Sequence, residues 1–239
     1  MNTPFKNKST IEDIRNRFDT DVERFSNIDT GQQSTIDATI SMELITEAAA
    51  LCCPDAKNIL DIGCGAGNNT IKLLKKINTF DCDLIDLSLP MLERAKNRIA
   101  KINTGSIKIY QEDIRTVCLN KEYDIILAAA VLHHLRDDSD WENVFLKLYK
   151  LTKPGGSLWI TDLVSQENNN IQGLMWNKYS KYLQEIGGKE YQKNAFHYID
   201  KEDSPRPVTY QLNLLRKVGF SQVEILHKNS CFAAFGAIK

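Results

Sequence analysis

The stretch Asn58 to Thr70, N-I-L-D-I-G-C-G-A-G-N-N-T, constrains the fold more than any other part of the chain. It opens as an apolar run, Ile59-Leu60 and Ile62, interrupted by Asp61, and then sets glycine at alternate positions, Gly63, Gly65 and Gly67. A helical pattern follows, with Ile71, Leu73, Leu74 and Ile77. A strand that ends in glycines and feeds a helix is the first half of a nucleotide-binding β-α-β unit. Glycine lacks a Cβ and accepts positive φ, so backbone there can lie against a ligand. The helix start offers N–H groups with no partner inside the helix.

Two ligand classes use such a loop. Dinucleotide binders follow G-x-G-x-x-G/A, where the last small residue lets helix pack on strand. Here the spacing is G-x-G-x-G and the last position is Asn68. Asp61 stands two residues before the first glycine, where a carboxylate repels a diphosphate and suits a cationic amino-acid group. S-adenosyl-L-methionine (SAM) carries a sulfonium, an ammonium and a carboxylate, and no phosphate. The loop therefore reads as a SAM site, with a glycine-rich turn of some other α/β domain as the competing reading. D-I-G-C-G-A-G resembles the first motif of class I SAM-dependent methyltransferases.

Later segments extend the pattern. F-D-C-D-L-I-D-L-S (80–88) reads as a second strand with Asp86 at its tip, 25 residues after Asp61. A carboxylate accepts only, and there it faces the two ribose hydroxyls, with Leu87 beside it. Ser88 and Pro90 then start a helix carrying Met91, Leu92, Ala95 and Ile99. A third strand, Ile107 to Tyr110, ends in Q-E-D-I; the resemblance implies that Asp113 takes the adenine amino group and that Ile114 lies near the ring. A fourth, Tyr123 to Leu127, runs into A-A-A-V-L-H-H-L-R-D. Small residues such as Ala129 let the chain approach the methionine part of the cofactor. The family often carries L-H-H-L here, which implies that His133 and His134 lie near the floor of the acceptor site. Asp140-Trp141-Glu142 open an amphipathic helix, and L-T-K-P-G-G before a fifth strand is a further family feature. Near the end come a helix, Thr209 to Val218, and two strands, Ser221 to His227 and Cys231 to Ile238, which read as a hairpin.

The resemblance covers about residues 55–165 and 208–238. It implies an α/β, Rossmann-like, seven-stranded mixed sheet of order 3-2-1-4-5-7-6, last strand antiparallel, with helices on both faces. Residues 1–54 read as an N-terminal helical extension or lid, and 55–239 as the methyltransferase domain with a lid insertion at about 165–207. In the extension, Ser9 or Thr10 caps a short helix with Ile11, Ile14 and Phe18 on one face. Residues 34–53 read as a longer helix, with Ile36, Ile40, Leu44 and Ala48 at helical spacing and Pro54 as its stop. In the insertion, I-Q-G-L-M-W-N-K-Y-S-K-Y-L-Q-E-I suggests a helix of about four turns, followed by Gly-Gly and a polar run.

Composition narrows the partners. The 239 residues suffice for one α/β domain. A net charge of −1 gives no electrostatic case for nucleic acid or a membrane surface. Six cysteines without a C-x-x-C pair suit a reducing cytoplasm. The first residues lack the apolar core of a signal peptide, and no apolar run reaches spanning length. The expected partner is a small-molecule methyl acceptor, with S-adenosyl-L-homocysteine as the spent cofactor.

The candidate cofactor residues are Asp61, Gly63, Cys64, Gly65, Gly67, Asp86, Leu87, Asp113, Ile114 and Ala129. A sulfonium is already a good leaving species, so alignment carries much of the catalysis and few side chains are required. For a hydroxyl acceptor a base is needed, and His133, His134 and His197 are the candidates. No metal is expected, because neither histidine of the pair shows metal spacing to another ligand. Three other readings remain open. R-F-D-x-D-V (17–22) and F-A-A-F-G (232–236) resemble the carboxy-SAM synthase and tRNA wobble-uridine group. A non-catalytic SAM binder would keep the loop and lose the acceptor pocket. A nicotinamide-dependent oxidoreductase shares the architecture, but Asn68 argues against it.

Overall fold

In the computed structural model, which describes residue 5, residues 7–27 and residues 30–239, the apolar runs pair into one sheet. Its strands are β1 (Asn58–Ile62), β2 (Asp81–Asp86), β3 (Ile107–Gln111), β4 (Tyr123–Ala129), β5 (Thr152–Leu163), β6 (Gln222–Asn229) and β7 (Phe232–Ile238). They lie in the order β3-β2-β1-β4-β5-β7-β6. Strands β1 to β5 are parallel, and β7 inserts antiparallel between β5 and β6. This is the expected order. Central parallel strands are buried on both faces, and Ile59, Leu60, Ile125 and Ile126 are all fully buried.

The described residues form eight α-helices: α1 (Ile11–Asp19), α2 (Val22–Ser26), α3 (Ala38–Cys52), α4 (Asn68–Leu74), α5 (Leu89–Ile99), α6 (Asp138–Leu151), α7 (Asn169–Glu202) and α8 (Val208–Val218). One core joins Leu60, Ile62 and Ile126 to Phe145 and Leu148 of α6 and Leu212 and Leu215 of α8. The other joins Ile59, Cys82 and Leu84 to Ile45 of α3, Leu73 of α4 and Leu92 and Ile99 of α5. A smaller third cluster holds Tyr179 and Leu183 of α7 against Leu163 and Phe232.

Local signals set several helix starts. Ser88 accepts from Met91 N at 3.3 Å and a proline sits in the first turn of α5, whose buried residues are the expected Met91, Leu92, Ala95 and Ile99. Thr10 and Asp13 form a reciprocal capping box on α1. Helix α6 starts at Asp138, capped by Asp137, slightly ahead of the expected D-W-E start.

Two expectations need correcting. In α3 the buried face is Ser41, Met42, Ile45, Thr46 and Ala49, whereas Ile40, placed on the buried face by spacing, is 51% exposed. The segment A-T-I-S-M-E-L-I-T-E-A-A-A-L-C is apolar around much of its girth, so period alone misjudges the face. The insertion helix also does not stop after about four turns. It runs to Glu202, kinked at Gly188 (φ 79°, ψ −176°), so the polar run after Gly-Gly is helical too.

Candidate functional site

Three glycines at the end of β1 have positive φ: 63° at Gly63, 50° at Gly65 and 83° at Gly67. They are needed for different reasons. A Cβ on Gly63 would lie 2.7 Å from Val131 Cβ, and one on Gly67 3.1 Å from Ala95 Cβ and Ile99 Cδ1. A Cβ on Gly65 would meet nothing within 4 Å. Gly63 and Gly67 are packing positions, and Gly65 faces free space. The turn is tied to β2: Gly65 N donates to Asp86 Oδ2 at 2.8 Å, and Ser88 N donates to Asp86 Oδ1 at 2.9 Å.

The turn borders a cavity of about 120 Å³, with Gly63, Cys64 and Gly65 on one side and Asp86, Leu87, Asp113, Ile114 and Ala129 on the others. Most of the expected cofactor residues are thus brought together at the carboxyl ends of β1, β2, β3 and β4. Two are not. Gly67 caps α4 and packs under α5 rather than lining the cavity. Asp61, expected to face the cofactor's ammonium, points away into the core. It is 0% exposed, accepts from Thr70 Oγ1 at 2.6 Å and leaves Oδ1 without a partner. Burial raises its pKa to about 7, against the pull of the Thr70 hydrogen bonds. Burial also raises Asp86, against its backbone donors.

Asp113 carries a partner that spacing did not reveal. Arg115 donates from Nε to Oδ1 at 2.9 Å and from Nη2 to Oδ2 at 2.6 Å, and its Nη1 reaches Asp140 at 3.1 Å. Burial works to raise the Asp113 pKa, but the Arg115 fork outweighs it and holds the carboxyl below its usual value. Arg115 is the one arginine or lysine among the residues lining this cavity, beside the acids Asp86, Glu112 and Asp113. An acidic cavity with its cation already paired suits a positively charged, phosphate-free ligand. The open space over Gly65 gives that ligand room, so the residues present fit SAM.

The roof comes from the N-terminal extension. Ile11, Ile14 and Phe18 of α1, Phe25 of α2, and Gln32 line the same cavity. The one available signal was the apolar face of α1, which has no sheet to cover in the minimal fold.

A second cavity, about 520 Å³, lies alongside and shares Phe18, Phe25, Gln32, Asn69, Ala130 and His134 with the first. Tyr179, Tyr191 and Tyr198 of α7 form one wall. The polar wall comes from four separate places in the chain: Arg17, the His133-His134 pair, Asp162 at the end of β5, and Glu202 and Asp203 at the end of α7. His133 sits on a short 3-10 turn, Leu132–His134, and is buried. Its Nδ1 contacts Asp162 Oδ1, and its Nε2 lies 3.7 Å from Asp203 Oδ1. Burial opposes a charge on His133, yet the Asp203 and Asp162 carboxylates outweigh it and raise the pKa to about 9. His134 Nδ1 lies 3.1 Å from Asp203 Oδ1. Arg17 makes a two-pronged ion pair with Glu202. His197, the third candidate base, is exposed on the outer side of α7 and lines neither cavity. The aromatic spacing of the insertion could not distinguish its inner from its outer face.

Residues 59–156 match the family model described as a methyltransferase domain. The chain is 27% identical over 191 residues to a carboxy-S-adenosyl-L-methionine synthase of Nautilia profundicola, covering 77% of this chain and 78% of that protein. It is 28% identical over 181 residues to a demethylmenaquinone methyltransferase of Chlamydia caviae, covering 75% of each. Its backbone superposes on the N-methyltransferase NodS of Bradyrhizobium japonicum, solved with S-adenosyl-L-homocysteine, with a TM-score of 0.62 at 17% identity, covering 92% of this chain and 97% of that one. Against two other solved methyltransferases, one of them human, the chain spans only 55% and 63% of their length. Together with the sheet order and the glycine turn, these matches support a class I SAM-dependent methyltransferase. It is an enzyme, and its cofactor is SAM. Among the described residues no helix is long and apolar enough to cross a membrane.

Proposed function

We propose that the chain transfers the methyl group of SAM to a small molecule held in the larger cavity, leaving S-adenosyl-L-homocysteine. The observation that carries this reading is the shared wall: Phe18, Ala130 and His134 border both cavities, so two ligands would meet there. In this reading Gly63, Cys64 and Gly65 cradle the amino-acid part, Asp86 accepts from the ribose hydroxyls, and Asp113, Leu87 and Ile114 surround the adenine. Ala129 lets the chain approach the reacting end. Bound SAM supplies a methyl group already activated on a sulfonium.

The chain's own work is then alignment and proton handling. Within residues 1–54, α1 and α2 act as a lid over the cofactor while α3 packs on the sheet, and within residues 165–207 α7 lies over the acceptor, keeping water from the junction. Alignment in an enclosed site supplies roughly 7–11 kcal/mol in favourable cases. His134 stands at the junction, so it is the base we assign to a hydroxyl acceptor, with Asp203 orienting its Nδ1. His133, tied to Asp162, holds that wall in place. The unpaired cysteines fit a reducing cytoplasm.

Incubation with methyl-labelled SAM and a metabolite extract tests the reading. Label should appear in a low-molecular-weight product and require Asp86. Label recovered in RNA or protein, or none transferred, would overturn it. A second reading is favoured by the relative from Nautilia profundicola: synthesis of a carboxylated SAM. Mass spectrometry separates the two, because that reaction yields a sulfonium heavier by a carboxyl group and no S-adenosyl-L-homocysteine.

A further inference from the structure

Sequence spacing gives His133 and His134 no third metal ligand. The fold supplies one from Asp203, seventy residues away, at the end of α7. A nitrogen from each histidine and an oxygen of Asp203 lie within 4.8 Å of one another. Asp203 Oδ1 is 3.1 Å from His134 Nδ1 and 3.7 Å from His133 Nε2. Ligand atoms about 2.0–2.2 Å from one ion lie about 3.0–3.5 Å from each other in octahedral or tetrahedral arrangements, so these separations need only small adjustment.

We propose that His133 Nε2, His134 Nδ1 and the Asp203 carboxylate form a binding site for one divalent first-row transition ion, with zinc the reference case. Two imidazoles and one carboxylate are a donor set for borderline cations rather than for calcium or magnesium. The second observation lies behind the ligands. Asp162 is buried, and its Oδ1 takes the contact from His133 Nδ1 while Oδ2 has no partner. A carboxylate on the far nitrogen of a ligating histidine fixes the tautomer and aims the other nitrogen at the ion. With Nδ1–H donating to Asp162, Nε2 is left as the metal-facing lone pair, and the ion replaces the proton that nitrogen would otherwise hold.

The ion fits the local charge. Glu202 and Asp203 lie near Arg17 and Arg136, Arg17 is spent on Glu202, and Asp162 contacts His133. Three protein ligands leave coordination positions open, and all three ligands line the larger cavity, with His134 also lining the smaller one. An oxygen of the acceptor, a hydroxyl or enol, would take one of those positions beside the cofactor. With the ion bound, His134 keeps its proton on Nε2 and no longer serves as the base, and the acceptor oxygen, acidified by the ion, gives its proton to solvent; that role rests on the acceptor reading above, and the metal site itself does not.

Metal binding can therefore be read with neither cofactor nor acceptor present. Chelator-stripped full-length protein is titrated with Zn²⁺ by calorimetry and with Co²⁺ by visible absorption. One equivalent should bind, with a cobalt spectrum free of thiolate charge-transfer bands, which excludes the six cysteines. Asp203→Asn and His134→Gln should each weaken Zn²⁺ at least tenfold. Asp162→Asn should weaken it about 10–100-fold without removing a ligand, and His197→Gln should leave it unchanged. Should a variant fail to fold, a rise in wild-type melting temperature with excess Zn²⁺, abolished in whichever ligand variant folds, carries the same decision. Absence of a saturable equivalent, a thiolate spectrum, or affinity indifferent to Asp203→Asn and His134→Gln would overturn the proposal, while label transfer to a small acceptor in stripped enzyme would leave the methyltransferase reading standing.

Discussion

Gly63 and Gly65 are two residues apart, share a left-handed backbone, and should respond differently to the same methyl group. An L-residue in that conformation is strained by about 1–2 kcal/mol, and replacing glycine returns about 0.4–1 kcal/mol through the unfolded chain. At Gly65 nothing lies within 4 Å of the new Cβ, so Gly65→Ala should lose at most about 1.6 kcal/mol of stability. At Gly63 the new Cβ lies 2.7 Å from Val131 Cβ and Cγ2, which adds an overpacking cost of about 1–3 kcal/mol. The order inverts for ligand binding. The space over Gly65 is the space assigned to the cofactor, and a methyl group forced into a filled site costs about 1–3 kcal/mol, or roughly 5- to 150-fold in affinity. Urea unfolding followed by tryptophan fluorescence reads the first quantity, and calorimetry with S-adenosyl-L-homocysteine reads the second. Gly65→Ala with wild-type affinity would refute the placement of the cofactor against this turn.

Asp86→Ala should weaken SAM binding more than tenfold, since each hydrogen bond to a charged acceptor contributes about 1.5–3 kcal/mol, while circular dichroism stays native; unchanged affinity would remove Asp86 from the site. Burial lifts Asp61 from 3.8 to about 7, so its proton stabilises the fold fully below pH 3.8 and that contribution is lost as pH rises through 7. Asp61→Asn cannot ionise, so the wild type should fall relative to it by up to roughly 4 kcal/mol across that window, and a flat difference in urea unfolding from pH 4 to 8 would contradict the burial. Gly188→Ala meets no atom within 4 Å but must hold φ 79° and ψ −176°, a region reserved for glycine. It should lose about 1–3 kcal/mol and quicken proteolysis within residues 189–202; a wild-type unfolding midpoint would show that the kink is not held.

The scaffold was legible because its signals are local. The glycine spacing, the Ser88-Pro90 start and the apolar runs each sit within a dozen residues, and each reappears as a turn, a capped helix or a buried strand. The acceptor side was not legible, for two physical reasons. Its polar wall joins Arg17, His133, Asp162 and Asp203, which only tertiary packing brings together. The second half of α7 sets only Tyr191, Ala195, Phe196 and Ile199 against the third cluster, a period too sparse among polar residues to place His197 outside and Tyr198 at the cavity. Asp61 failed differently: its position was right, but a side chain on a strand alternates faces, and this one turns inward to Thr70.

The seam between the chain's beginning and the end of α7 is made of charge and backbone polarity rather than oil. Ser9 N donates to Lys201 O at 2.8 Å, Lys8 Nζ reaches Asp200 O at 2.7 Å, Arg17 pairs with Glu202, and Arg136 Nη2 reaches Ser9 O at 3.2 Å. Arg17 and Glu202 also line the larger cavity, so under the proposed lid role this stitching parts whenever that cavity opens. Unlike an apolar latch, it loosens as ions are added to the medium. Under that proposed role, turnover would follow ionic strength wherever opening is the slow step.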